Sequence, residues 1–162
     1  MLDVRQENAR SLTQITWNLR SDSGRFDNTY EFNLADLRGL TPQQLNSAQA
    51  VIARFDIVRA AGTLHCEGYV GNGNGSGSLI SFQANPAFRT EMRSLGDDNL
   101  DDETILLMAI YHVSPQYVRD LRALNTRVNT ADQLIRLRRS NPTVAYIQEL
   151  RSQGREVPIQ VA

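Results

Sequence analysis

Apolar residues in the second half of the chain recur with the period of a helix, and the pattern then repeats itself. Phe88, Met92 and Leu95 stand at i, i+4 and i+7, and Tyr117, Leu121 and Leu124 reproduce the stripe 29 residues later. Whole segments follow the same step. Phe88-Arg89-Thr90-Glu91-Met92-Arg93-Ser94-Leu95-Gly96 returns as Tyr117-Val118-Arg119-Asp120-Leu121-Arg122-Ala123-Leu124-Asn125, then as Tyr146-Ile147-Gln148-Glu149-Leu150-Arg151-Ser152-Gln153-Gly154. Asn85, Ser114 and Thr143 sit where a helix needs an N-cap, and Pro86 and Pro115 follow at the first helical position. Gly96, Asn125 and Gly154 close the helices, as residues that accept a left-handed backbone. A second helix fills each unit. The segment 102–109 aligns with 131–138, and Thr130 with Gln133 has the form of a capping box. The predicted unit is helix, loop, helix, with copies starting near 85, 114 and 143 and the last one truncated.

The first half has the period of strands. Residues 13–40 and 53–83 alternate apolar with polar positions, as in Phe55, Ile57 and Leu64, Cys66 against Asp56, Val58, His65 and Glu67. Short strands between turn signals predict an antiparallel sheet. One helix is expected to interrupt it, opening at Thr41-Pro42 and using Leu45, Ala48, Val51 and Ile52 as its apolar face. The fold class is therefore α+β: an antiparallel β domain over 11–84 with one helix, then helical repeats over 85–162. The run Gly71-Asn72-Gly73-Asn74-Gly75-Ser76-Gly77 could cradle a phosphate through its N–H groups. It lacks the lysine and the following helix of a phosphate loop, so it is expected to be a flexible hairpin loop. Asn74-Gly75-Ser76 also has the form of a glycosylation acceptor.

Composition narrows the chemistry. The net charge is -1 over 162 residues, which does not mark a general nucleic-acid or membrane binder. No apolar run reaches the length of a membrane span. The N-terminal residues 1–10 are polar and lack the apolar core of a signal peptide. All 17 basic residues are Arg, which excludes Schiff-base lysine chemistry and fits either a biased composition or a surface that pairs with acids. One cysteine, Cys66, excludes an internal disulfide, and with His65 and His112 as the only histidines a zinc site is not expected. Cys66 reads as a small buried residue, and His112 as a helix-end residue between two repeat helices. Asp97, Asp98, Asp101, Asp102 and Glu103 surround a helix start without the spacing of a calcium loop. No catalytic constellation, metal or cofactor is expected.

Stacked copies would align Arg93, Arg122 and Arg151 in a row and Glu91, Asp120 and Glu149 in another, roughly 10 Å apart from copy to copy. These rows are either solvated edges or, with Arg119, a ladder that docks an acidic partner. The expected function is a non-catalytic module that recognises a protein or peptide. The candidate contacts are Arg93, Arg119, Arg122 and Arg151 on the repeats and Gly73, Asn74 and Gly75 on the sheet. The alternative is a DNA-binding regulator whose helix-turn-helix-like repeats present Arg136, Arg138 and Arg139, although the neutral charge of that half argues against it. An enzyme is the third reading, and a deep polar pocket holding His65 or His112 beside a carboxylate would favour it.

Leu34-Ala35-Asp36-Leu37-Arg38-Gly39-Leu40, the segment 55–68, the glycine run and Phe82-Gln83-Ala84-Asn85-Pro86-Ala87-Phe88 together resemble the extracytoplasmic tails of bacterial beta-lactam-sensor-type membrane metallopeptidases. The resemblance covers roughly residues 15–157. It departs at the repeat junctions, where His112-Val113-Ser114 stands once and Ser140-Asn141-Pro142 replaces it later. The zinc motif of those peptidases is absent from this chain, so the resemblance carries over no catalytic residue. It implies a periplasmic or extracytoplasmic sensing or docking module.

Overall fold

A computed structural model describes residues 2–6, 12–21, 24–126, 128, 130–139 and 144–155, with the backbone alone described before residue 32. Seven strands form one sheet in the order β3-β2-β1-β7-β6-β5-β4. They are β1 (Leu2–Gln6), β2 (Leu12–Ser21), β3 (Gly24–Asn33), β4 (Leu37–Arg38), β5 (Val51–Arg59), β6 (Gly62–Gly71) and β7 (Asn74–Ala84). Helix α1 (Pro42–Leu45) interrupts the strands, and α2 (Pro86–Ser94), α3 (Asp102–Ile110), α4 (Pro115–Ala123), α5 (Ala131–Arg139) and α6 (Val144–Ser152) follow them. The α+β class is as expected.

Contacts divide the chain into two units. The first holds the described residues up to Val58 together with Thr63–Gln83; the second holds Arg59–Gly62 and the residues from Ala84 onward. The β5–β6 turn thus belongs with the helices, tied there by Asn85, whose amide donates to Ala61 O at 2.9 Å and whose side chain donates to Ala60 O at 3.1 Å.

In the first unit, β1 pairs antiparallel with both β2 and β7, Val4 lying opposite Ile15 on one side and Gly75 on the other. The sheet therefore begins well before residue 11, where the alternation in sequence becomes visible. One side of β5 and β6 is core: Ala53, Phe55, Ile57, Leu64, Cys66 and Val70 are buried, as are Phe32, Leu37, Leu40 and Leu45. Burying a Leu or Phe side chain contributes roughly 1.5–3 kcal/mol, so these positions hold the sheet.

Two expectations are corrected here. The helix expected over 41–52 is a single turn, capped by Thr41 and Gln44 in a reciprocal box, and Val51 already starts β5. Val51 and Ile52 are β-branched, and pairing in the sheet prevails over a helix too short to sustain itself. The glycine run forms the expected hairpin, but most of it lies in the strands and not in a loop. Asn72 (φ 52°) and Gly73 (φ 73°) make a two-residue turn, and Asn74 and Gly75 already lie in β7. The amides of Asn72 and Gly73 donate to Ser47 O (2.9 Å) and Leu45 O (2.8 Å), which anchors the turn to the end of α1. Gly68 and Gly77 face each other so closely that a Cβ on Gly77 would lie 2.4 Å from Glu67 O. The glycines are needed for strand approach.

In the second unit the 29-residue step holds in three dimensions: α2, α4 and α6 start at 86, 115 and 144, and α3 and α5 at 102 and 131. Asn85 and Ser114 cap their helices by accepting from Ala87 N and Tyr117 N. Thr143 lies outside the described residues. Gly96, Asn125 and Gly154 all have positive φ. Each closes its helix with the same pair of bonds, as in Gly96 N to Arg93 O (2.8 Å) and Asp97 N to Met92 O (3.1 Å). His112 (φ 54°) does the same for α3, a conformation glycine or asparagine adopts more readily. The interior is apolar, with Phe88, Met92, Ile105, Met108, Leu121 and Ile147 at 1% exposure or less.

Candidate functional site

Two of the three arginines in the row, Arg122 and Arg151, are tied into the repeat stack. Each repeat helix has nine residues, and an arginine at its eighth position reaches back 27 residues to the C-cap carbonyl of the equivalent helix one copy earlier. Arg122 donates to Leu95 O, Arg151 to Leu124 O, and Arg138 Nε to Tyr111 O at 3.2 Å. Leu95, Leu124 and Tyr111 are the C-caps of α2, α4 and α3. A guanidinium is well matched there, because the last carbonyls of a helix lack partners and carry its negative end. Arg138 also lies over the Tyr117 ring, 4.8 Å from its centre. Arg119 pairs with Glu91 of the preceding copy. Of the row named from sequence, Arg93 alone has no earlier copy to reach. It is exposed and forms no hydrogen bond or ion pair among the described residues.

Several of the other residues singled out in this unit make contacts within it. Asp101 caps α3 by accepting from Thr104 N at 2.7 Å, and hydrogen bonding from the Thr104 side chain first, then from that amide, holds its carboxyl below the ordinary range. Asp102 pairs with Arg89 at 2.6 Å. Asp97 is buried; burial raises its pKa, while the Arg122 charge pulls it back. The His112 pKa is lowered to about 4, by desolvation first and then by the charges of Arg59 and Arg138. The residue as a whole is exposed, so the two guanidinium charges matter beside the desolvation. Among the described residues no group of three or more His, Cys, Asp or Glu is placed to hold a metal.

A cluster of functional groups does form on the first unit. Alternation along β5 and β6 puts Arg54, Asp56, His65 and Glu67 on the face opposite the core. The hairpin register brings them into pairs. His65 Nδ1 lies 2.7 Å from Asp56 Oδ1, and Arg54 pairs with Glu67 one pleat along. An ionised carboxylate can only accept, so Nδ1 carries the proton and Nε2 is left for another partner. On the far side of Asp56, β4 places Arg38 in register with it. These side chains, with Gly39, Phe55, Cys66 and Ile80, line an open depression of about 520 Å³. Arg38 is exposed and forms no hydrogen bond or ion pair among the described residues.

Around the depression the face is unusually apolar for a solvated surface. Ile52 is 58% exposed, Tyr69 60%, Ile80 62% and Val58 40%. Ile52 and Val58 flank Arg54 and Asp56 along β5, Tyr69 stands at the end of the row on β6, and Ile80 closes the depression from β7. Cys66 is buried toward the core, and burial followed by the Asp56 charge pushes its thiol up to about 12. It presents no thiolate nucleophile to the dyad near neutral pH. The arrangement orients an imidazole and offers cations, carboxylates and apolar surface together. Alternation in sequence showed the face, but only the register shows which residues meet on it.

Comparison with protein-family models, with curated proteins and with solved structures finds no match to this chain.

Proposed function

We propose that this protein is a non-catalytic module that recognises a protein or peptide, and that the solvent face of β5, β6 and β7 is its contact surface. The observation that carries the reading is the exposure of Ile52, Val58, Tyr69 and Ile80 on one sheet face around the Arg54–Glu67 ion pair and the His65–Asp56 hydrogen bond. Large apolar side chains clustered at a surface cost free energy in water and mark interaction sites. Apolar anchors beside fixed charges give contact area together with specificity. The resemblance to bacterial sensor tails carries the same implication.

The repeat surface supports the DNA-binding alternative less well. Arg122, Arg138 and Arg151 are engaged by backbone carbonyls, Arg119 by Glu91, and Arg136 by Asp132 at 2.8 Å. Cations already neutralised within the fold have less to offer phosphates. Asp56 with His65 is the carboxylate–histidine pair an enzyme would need, but it lies in an open depression, and burial keeps the one thiol beside it protonated near neutral pH.

The test is to select peptides from a random library on the folded protein and titrate the winners against a Tyr69→Ser, Ile80→Ser variant. Loss of binding by the variant supports the reading. Peptides that bind both proteins equally, or duplex DNA bound with a steep salt dependence, overturn it.

A further inference from the structure

The depression beside β4 has an asymmetry that points to one kind of occupant. Its ionisable groups on the outer face are Arg38, Arg54, Asp56, His65 and Glu67, and four of these five pair with one another. Arg38 is left over: its neighbour in register, Asp56, gives its carboxylate to His65. The site therefore holds one guanidinium whose charge no contact among the described residues takes up. Ile80, 62% exposed, stands in the same depression on the far side of His65.

We propose that the depression receives the C-terminal residue of a partner polypeptide, its carboxylate on Arg38 and an apolar side chain against Ile80. This rests on the recognition reading above and names the ligand chemistry of that same face. A chain terminus fits because it carries a carboxylate and a side chain on one carbon, so a single residue can span a cation and an apolar wall. An acidic side chain carries no apolar group of its own. A guanidinium binds a carboxylate with two parallel N–H bonds, stronger than neutral hydrogen bonds and directional. Arg38 can give both without breaking an existing pair. Gly39 follows Arg38 in a turn (φ 95°) and lies so close to β5 that a Cβ there would be 2.7 Å from Arg54 O. The absence of a side chain at Gly39 leaves room beside Arg38 at this edge of the depression.

The test uses the full chain, isotope-labelled, titrated with three probes and followed by backbone amide NMR shifts. The probes are N-acetyl-leucine, N-acetyl-leucinamide and N-acetyl-aspartic acid N-methylamide. Saturable shifts at Arg38, Gly39, Arg54 and His65 are expected with N-acetyl-leucine. The amide should bind about tenfold more weakly, as should N-acetyl-leucine to an Arg38→Gln variant, the cost of one lost charged hydrogen-bond pair. Ile80→Ser should weaken the leucine probe but not abolish its dependence on Arg38. Arg38 is exposed, so the Arg38→Gln spectrum should otherwise match the wild type. Equal binding of the acid and the amide, or binding indifferent to Arg38→Gln, overturns the carboxylate inference and leaves the recognition reading standing. Tighter binding of the aspartate probe overturns the chain-terminus assignment. No shift with any probe overturns the inference entirely, and the peptide selection then decides the broader reading on its own.

Discussion

Arg138 donates its Nε–H to the carbonyl of Tyr111, the C-cap of the equivalent helix one repeat earlier, at 3.2 Å, and its guanidinium lies 4.8 Å from the centre of the Tyr117 ring. One side chain thus links α5 to the end of α3 and to the face of α4. Arg138→Ala should lower the stability of the helical unit by about 1–2 kcal/mol, the sum of a charge-assisted bond and a stacked cation. Urea unfolding followed by circular dichroism measures it. An unchanged midpoint would show that Arg138 contributes nothing in solution.

Arg122 and Arg151 make the same contact at the ends of α2 and α4, while Arg93 makes none. Arg122→Ala and Arg151→Ala should each cost about 0.5–1 kcal/mol, and Arg93→Ala should stay within about 0.5 kcal/mol of the wild type. Equal effects of the three substitutions in urea unfolding would contradict the ladder.

His112 combines a left-handed backbone with a pKa lowered from 6.5 to about 4. Between these values the unfolded chain binds a proton that the folded protein does not. Stability is therefore full above pH 6.5 and falls as the pH drops toward 4. His112→Gly should raise stability by about 1 kcal/mol at pH 7 through the backbone, and should flatten this acid slope. Thermal melts of both proteins from pH 4 to 8 decide it: parallel slopes would mean that His112 does not titrate with folding.

Gly73 and Gly77 should differ in kind. At Gly73 a Cβ meets nothing within 4 Å, so Gly73→Ala costs only the left-handed backbone, about 1 kcal/mol. At Gly77 the Cβ would press into the backbone of Glu67 and Gly68, so Gly77→Ala must separate β6 from β7. Hydrogen exchange along the hairpin should stay near wild type in the first variant and accelerate in the second. The reverse order would refute the close approach of these strands.

Cys66 should resist thiol reagents in the folded protein at pH 8, because burial holds its thiol up to about 12. Stopped-flow titration with a chromogenic disulfide should show reaction only at the rate of unfolding. Fast labelling under native conditions would mean that the core around Cys66 opens.

What the chain settles by itself is local. Helix caps, the N1 prolines, the left-handed stops and the apolar stripe are written within a few residues of one another, so the 29-residue repeat is legible from Asn85 to Gly154. Strand alternation is equally local, and it separates Phe55, Leu64 and Cys66 from Asp56, His65 and Glu67. Contacts between distant segments decided the rest. The turn at Asn72-Gly73 and the strand start at Val51 depend on sheet pairing, which outweighs the local preference of Ala48 to Ile52 for a helix. The Arg122 and Arg151 bonds exist only because one copy is set beside another, so that a side chain of one helix meets the carbonyl left open by its neighbour. The depression beside Arg38 needs β4, β5, β6 and β7 in one register. A shift of one residue would turn Asp56 or His65 into the core, since side chains alternate between the faces of a sheet with a period of two.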